Sequence, residues 1–135
     1  MRGMENAAHL AGDRRKVVML SAISSLGEYG RPYHKRAGRH IVECGFEDRL
    51  LLVIDESTLA IHEGAVSAGL SPDRIRFISE PSEIARSLTW FARPNTLIYC
   101  KTRMFLYVSD EMDRFLAVLR DLDSRQAHRQ QQRPR

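Results

Sequence analysis

Three consecutive residues, Lys101, Thr102 and Arg103, follow the short apolar run "TLIYC" (96–100). Two cations and a hydroxyl at the carboxyl end of a buried strand suit the capture of an anion, either a carboxylate or a phosphate. Arginine offers a planar fork of donors and lysine a point charge. The same three residues also read as a solvated loop with two surface cations. A second group lies in "GEYGRPYH" (27–34), behind another apolar run, "KVVMLSA" (16–22). Its candidates are Gly27, Glu28 and His34. His34 reads either as a ligand contact or as a structural hydrogen-bonding group, and Gly27 and Gly30 as backbone devices for the turn. His40, Glu43 and Cys44 share one helix face at i, i+3 and i+4, a spacing that could hold a metal ion. Three mixed ligands on one helix lack a fourth partner, so no metal is expected. There is no nucleophile elbow and no Ser-His-Asp or Cys-His arrangement, so no catalytic residue is assigned.

These residues need elements to position them. Four nearly continuous apolar segments read as strands covered on both faces of a parallel sheet: 16–22, 49–55, 74–79 and 96–100. Between them lie helical patterns at 32–45, 56–70 and 81–92. The first has Pro32 in its opening turn and Gly45 as its stop. The second has Asp55 as N-cap, with Leu59, Ile61, Ala65 and Ala68 facing inward. The third buries Ile84, Leu88 and Trp90 or Phe91. A fourth, 110–123, stacks Met112, Phe115, Leu116 and Leu119 behind a cap at Ser109 or Asp110, and "FLYVS" (105–109) adds an edge strand. Strand alternating with helix through short loops predicts α/β architecture: a Rossmann-like, doubly wound, mainly parallel sheet in a single domain.

The 135 residues suffice for one domain with a core. Hydrophobic content of 43% and charged content of 28% are those of an ordinary globular protein. The formal charge is +4, and the acid-free tail "SRQAHRQQQRPR" (124–135) accounts for all of it through Arg125, Arg129, Arg133 and Arg135. The body is therefore close to neutral, which argues against a nucleic-acid-binding face. The expected division is an N-terminal segment at 1–13, the domain at 14–123 and a disordered basic tail at 124–135. The two cysteines, Cys44 and Cys100, form no CxxC pair. No apolar run is long enough to span a bilayer and the N-terminus has no signal-like core, so no membrane contact and a cytoplasmic location are expected.

The order and wording of five blocks carry a further reading. They are "HLAGDRRKVVMLSAISSLGEYGRPYHKRAG", "ESTLAIHEGAVSAGL", "RIRFISEPSEIA", "ARPNTLIYCKTRM" and "MDRFLAVL". Taken together, from about Ala7 to Leu119, they resemble the C-terminal domain of the Mur ligase family. Within it they most resemble the branch that adds D-alanyl-D-alanine to UDP-N-acetylmuramoyl-tripeptide. The resemblance implies a bacterial, ligase-like setting in peptidoglycan (cell-wall) precursor synthesis, with amino-acid or phosphate contacts near Lys101 and the loop behind residue 21. The departures matter as much. The family's G-D-M-x-E-L-G is replaced by Ser21-Ala22-Ile23-Ser24-Ser25-Leu26-Gly27, without either carboxylate. In its K-G-S-R loop Lys101 matches, whereas Thr102 and Arg103 replace the glycine and serine.

No GxxxxGK[ST] phosphate loop occurs in the sequence. The resemblance therefore implies a stand-alone domain related to ATP-dependent, ADP-forming amide ligases and inactive alone. It is expected to bind no cofactor by itself, with ATP and Mg²⁺ entering only if a partner protein supplies the ATP-binding domain. Its ligand would be an amino acid or another anion. The alternatives are a non-catalytic binding or regulatory module docking to a partner, and a shortened gene product with no role of its own.

Overall fold

The computed structural model describes residues 2–23, 26–79, 83, 86–87, 90, 95–101, 117, 120–121, 124–125 and 127–132. In chain order its elements are α1 (Arg2–Ala11), β1 (Arg15–Leu20), α2 (Gly30–Glu43), β2 (Arg49–Val53), α3 (Glu56–Ser67), β3 (Ile75–Ile78) and β4 (Thr96–Lys101). Short 3-10 turns at Gly27–Tyr29 and Pro72–Arg74 precede α2 and β3. The sheet order is β3-β2-β1-β4 and every pairing among the described strands is parallel. The chain moves outward from β1 through β2 to β3, then crosses to the far side of β1 for β4. The carboxyl ends of β1 and β4 therefore form the topological switch point, where open α/β sheets leave a crevice.

The expected strands lie within a residue or two of the observed ones, for a plain reason. Val17, Val18, Met19, Leu50, Leu51 and Leu52 are all essentially inaccessible, so both faces of the central strands demand apolar side chains. One face meets Met4 of α1, Ile41 of α2, Ile61 and Ala65 of α3, Phe46 and Leu70. On the other, the Arg49 and Arg76 guanidinium groups both stack against the Trp90 ring, at 5.1 and 4.3 Å from its centroid.

Helices α2 and α3 end alike. Gly45 and Gly69 adopt left-handed backbone with φ of +83° and +109°. Around them Phe46 N–H reaches the Ile41 carbonyl and Leu70 N–H the Ala65 carbonyl, both at 3.0 Å. These are Schellman caps, each sealed by a buried apolar residue just past the glycine. Asp55 caps α3 as expected, its Oδ1 accepting from Ser57 N–H at 2.7 Å. The inward face of α3 differs from expectation. Leu59 is exposed, and Thr58 takes the buried position because its hydroxyl donates to the Val53 carbonyl at 2.7 Å. Capping, rather than hydrophobicity, sets the rotation of that helix.

Within the N-terminal segment 1–13, α1 packs on β4 and β1 with Met4 inside the core. Of the third helical pattern, Glu83, Arg86, Ser87 and Trp90 are described and helical, and Ser87 is buried. Ile84, Leu88 and Phe91 lie outside the described residues, as do the edge strand at 105–109 and the anchors Met112, Phe115, Leu116 and Leu119. Ala117, Arg120 and Asp121 are helical and exposed. The tail carries helical backbone at 124–125 and 127–131, with every described side chain exposed. Among the described residues no helix is long and apolar enough to cross a membrane.

Candidate functional site at the carboxyl edge

Strand β1 leaves the core at Ser21 and β4 at Lys101. Leu20 and Lys101 are register partners, and Ser21 N–H donates to the Lys101 carbonyl at 3.1 Å. The two loops at the switch point thus start from one stitched position. Lys101 is exposed at its rim. Thr102 and Arg103 lie outside the described residues, as do Ser24 and Ser25.

Beyond Ser21 the loop is anchored from below. His34 is fully buried in α2. Its Nε2 accepts from Ile23 N–H at 2.9 Å, and its Nδ1 is 2.5 Å from the Gly30 carbonyl. The backbone N–H can only donate and the carbonyl only accept, so the ring is fixed as the neutral tautomer with its proton on Nδ1. Both ring nitrogens are thereby engaged inside the protein. Of the two sequence readings, the geometry matches the structural one: His34 shapes the loop and offers no free nitrogen to a ligand.

Gly27 has φ +56°, the left-handed backbone its loop requires, and opens the turn that carries exposed Glu28. The turn closes with Tyr29 N–H donating to the Leu26 carbonyl at 3.1 Å and leads straight into α2. The structure therefore brings Ser21 and Lys101 together, sets Gly27 and Glu28 on the loop above, and places His34 beneath it. The sequence reading missed the Ile23–His34 latch. An apolar residue eleven positions before a buried histidine leaves no compositional signal.

The loop at 21–23 offers hydroxyl, methyl and apolar groups, with no carboxylate to hold Mg²⁺. Among the described residues no group of three or more His, Cys, Asp or Glu side chains could hold a metal. Cys100, next to Lys101, belongs to an exposed residue, yet loss of hydration at its thiol pushes it up to about 11. That shift favours the protonated thiol at neutral pH. What the site can do is present an exposed cation, on a backbone tied to Ser21, beside a hydroxyl-bearing loop, an arrangement suited to a small anion.

The chain folds as a parallel-sheet α/β domain similar to part of a Mur ligase. In particular, the chain is 36% identical over 52 residues to UDP-N-acetylmuramoyl-tripeptide–D-alanyl-D-alanine ligase from Synechocystis sp.. A crystal structure of MurF from Acinetobacter baumannii shares the fold over 86% of this chain, with a TM-score of 0.57 and 21% identity. The matches span 12% of the first relative's length and 26% of the second's. No family model matches the chain.

Proposed function

We propose that this chain is a Mur ligase-like domain of an amide-ligase system in cytoplasmic peptidoglycan-precursor synthesis, binding an anionic group at the β1/β4 crevice and inactive by itself. The observation that carries this reading is the switch-point geometry, in which the Lys101 rim is stitched to Ser21, at the start of a stretch, 21–25, that bears no acid. In ATP-dependent ligation a carboxylate must first be activated by phosphoryl transfer, which rests on a phosphate cradle and Mg²⁺. The sequence has no GxxxxGK[ST] cradle, and Ser21-Ala22-Ile23-Ser24-Ser25 supplies no metal-binding acid. Activation would then fall to a partner protein carrying the ATP site. This chain would supply the docking surface and the anion contact through Lys101, Thr102 and Arg103, with Gly27 and Glu28 on the facing loop.

The missing carboxylates also favour a second reading, a binding or regulatory module that kept the fold and performs no ligation. Three measurements test these readings, and the last separates them. Pure protein with ATP, Mg²⁺ and an amino-acid acceptor is expected to release no ADP, and magnesium-dependent release would overturn inactivity alone. NMR titration with phosphate, ATP and D-alanyl-D-alanine is expected to shift amides around Ser21 and Lys101, and the Lys101→Ala/Arg103→Ala double variant to abolish those shifts. Restored ligation on adding a separate chain with the ATP site would support the ligase reading over the regulatory one.

A further inference from the structure

Helix α1 has few buried attachments. Met4 and Ala11 are its buried residues, while Ala7 and Ala8 lean on the core. Gly3 sits so close to Tyr99 that an added Cβ would lie 2.9 Å from the phenolic oxygen. A helix of this length is marginal alone, so contact with the sheet is what keeps it helical and in place.

One polar junction joins α1 to α2. The His40 side chain, 17% exposed, places Nε2 3.5 Å from Glu5 Oε1 of α1 and 3.3 Å from Cys44 Sγ, and Nδ1 3.9 Å from Glu43 Oε2. The other charged groups nearby are accounted for. Arg39 is 3.8 Å from Glu43. Lys16 of β1 passes beside Gly45, its ammonium directed to the Gly12 and Arg14 carbonyls. His9, one turn after Glu5, is exposed. In α3, Glu63 is paired with Arg31 and Lys35 near the opposite end of α2. Two carboxylates thus flank the imidazole, one from each helix. Their field also reaches Cys44, whose thiol is raised by burial, then by Glu5 and Glu43, against the charge of the amino terminus.

We propose that α1 is a pH-sensitive strap over β4, held by an inter-helix ion pair between protonated His40 and Glu5. With His40 charged, Nε2–H pairs with Glu5 and α1 stays down. With His40 neutral the ion pair is lost, and α1 lifts more often to uncover Leu97 and Tyr99. Because β4 ends at Lys101, the strap acts on the strand that leads into the crevice. The proposal stands whatever that crevice binds. A partly exposed ion pair of this kind changes the lifted population roughly two- to five-fold.

The test is amide hydrogen exchange on the full chain at about pH 5.5 and about pH 8, either side of the usual histidine range and corrected for intrinsic exchange. Protection of α1 amides is expected to fall roughly two- to five-fold at the higher pH, with β1 and β2 amides unchanged. Glu5→Gln and His40→Gln are each expected to remove that pH response while leaving β1 protection intact. Equal α1 protection at both values would overturn the strap. So would a response shared equally by the whole domain, or one that persists in both variants.

Discussion

Ser21 donates its backbone N–H to the carbonyl of Lys101 at 3.1 Å, one step past the Leu20–Lys101 pair of the parallel ladder. This bond sets the floor of the crevice and holds the one described cation at its rim beside the hydroxyl loop. Inorganic phosphate is expected to bind there weakly, in the millimolar range, or about 4 kcal/mol. Amide shifts should concentrate at Ser21, Ala22 and Lys101. Lys101→Ala is expected to weaken binding several-fold, about 1 kcal/mol for a solvent-exposed charge. Shifts clustering on α3 instead would remove this crevice as the site.

The loop above that floor depends on His34. Replacing it with alanine removes a buried ring and leaves Ile23 N–H and the Gly30 carbonyl without their side-chain partner. The expected loss is about 2–4 kcal/mol in urea unfolding, combining a cavity with an orphaned donor. Residual protection should drop first at Ile23. An unchanged unfolding midpoint would show that the latch does not hold the loop.

Helices α2 and α3 touch backbone to backbone, and two glycines permit it. A Cβ at Gly38 would collide with the Ile61 carbonyl oxygen and come within 2.8 Å of Ala65 N. One at Gly64 would collide with the Lys35 carbonyl oxygen and lie 3.2 Å from Arg39 N. Backbone cannot rotate away as a side chain can. Gly38→Ala and Gly64→Ala should therefore each destabilise by about 1–3 kcal/mol or more, despite alanine's better helix propensity. Thermal melts of the two variants check this, and a raised melting temperature in either would contradict the close approach.

The strands were legible because burial on both faces forces runs such as Leu50–Leu52, and two caps because Asp55 and Gly45 have few other uses at helix ends, whereas Gly69, read inside the 56–70 helix, instead closes the end of α3. Helix α1 was not read. Met4, Ala7, Ala8 and Ala11 recur at helical spacing, but three of the four are small, and the Tyr99 against which Gly3 fits lies some ninety residues on in the chain. Leu59 misled for the opposite reason: it is apolar, but the Thr58 hydroxyl bond to Val53 fixed the helix the other way round. Lys101 was placed at the carboxyl edge of the sheet from strand order, and β4 ends on it. The two roles of His34 remained open in the sequence, because only the fold reveals what each ring nitrogen faces.

Cys44 provides a pH test. Its thiol is raised above the ordinary value of 9.0, first by burial and then by the carboxylates of Glu5 and Glu43. The folded state therefore holds this proton more tightly than the unfolded chain does. Stability linked to the thiol is fully present below the ordinary value and is lost as pH climbs through it toward the raised one. Cys100, pushed up to about 11, has the same sign, so the measurement belongs in a Cys100→Ser background. In that background unfolding free energy should decline between about pH 8 and about pH 10, and Cys44→Ser should flatten the decline. Iodoacetamide should also alkylate Cys44 more slowly in the native protein than in urea at the same pH, since only the thiolate reacts. Faster native alkylation, or stability rising over that range, would show that the carboxylates do not act on the thiol.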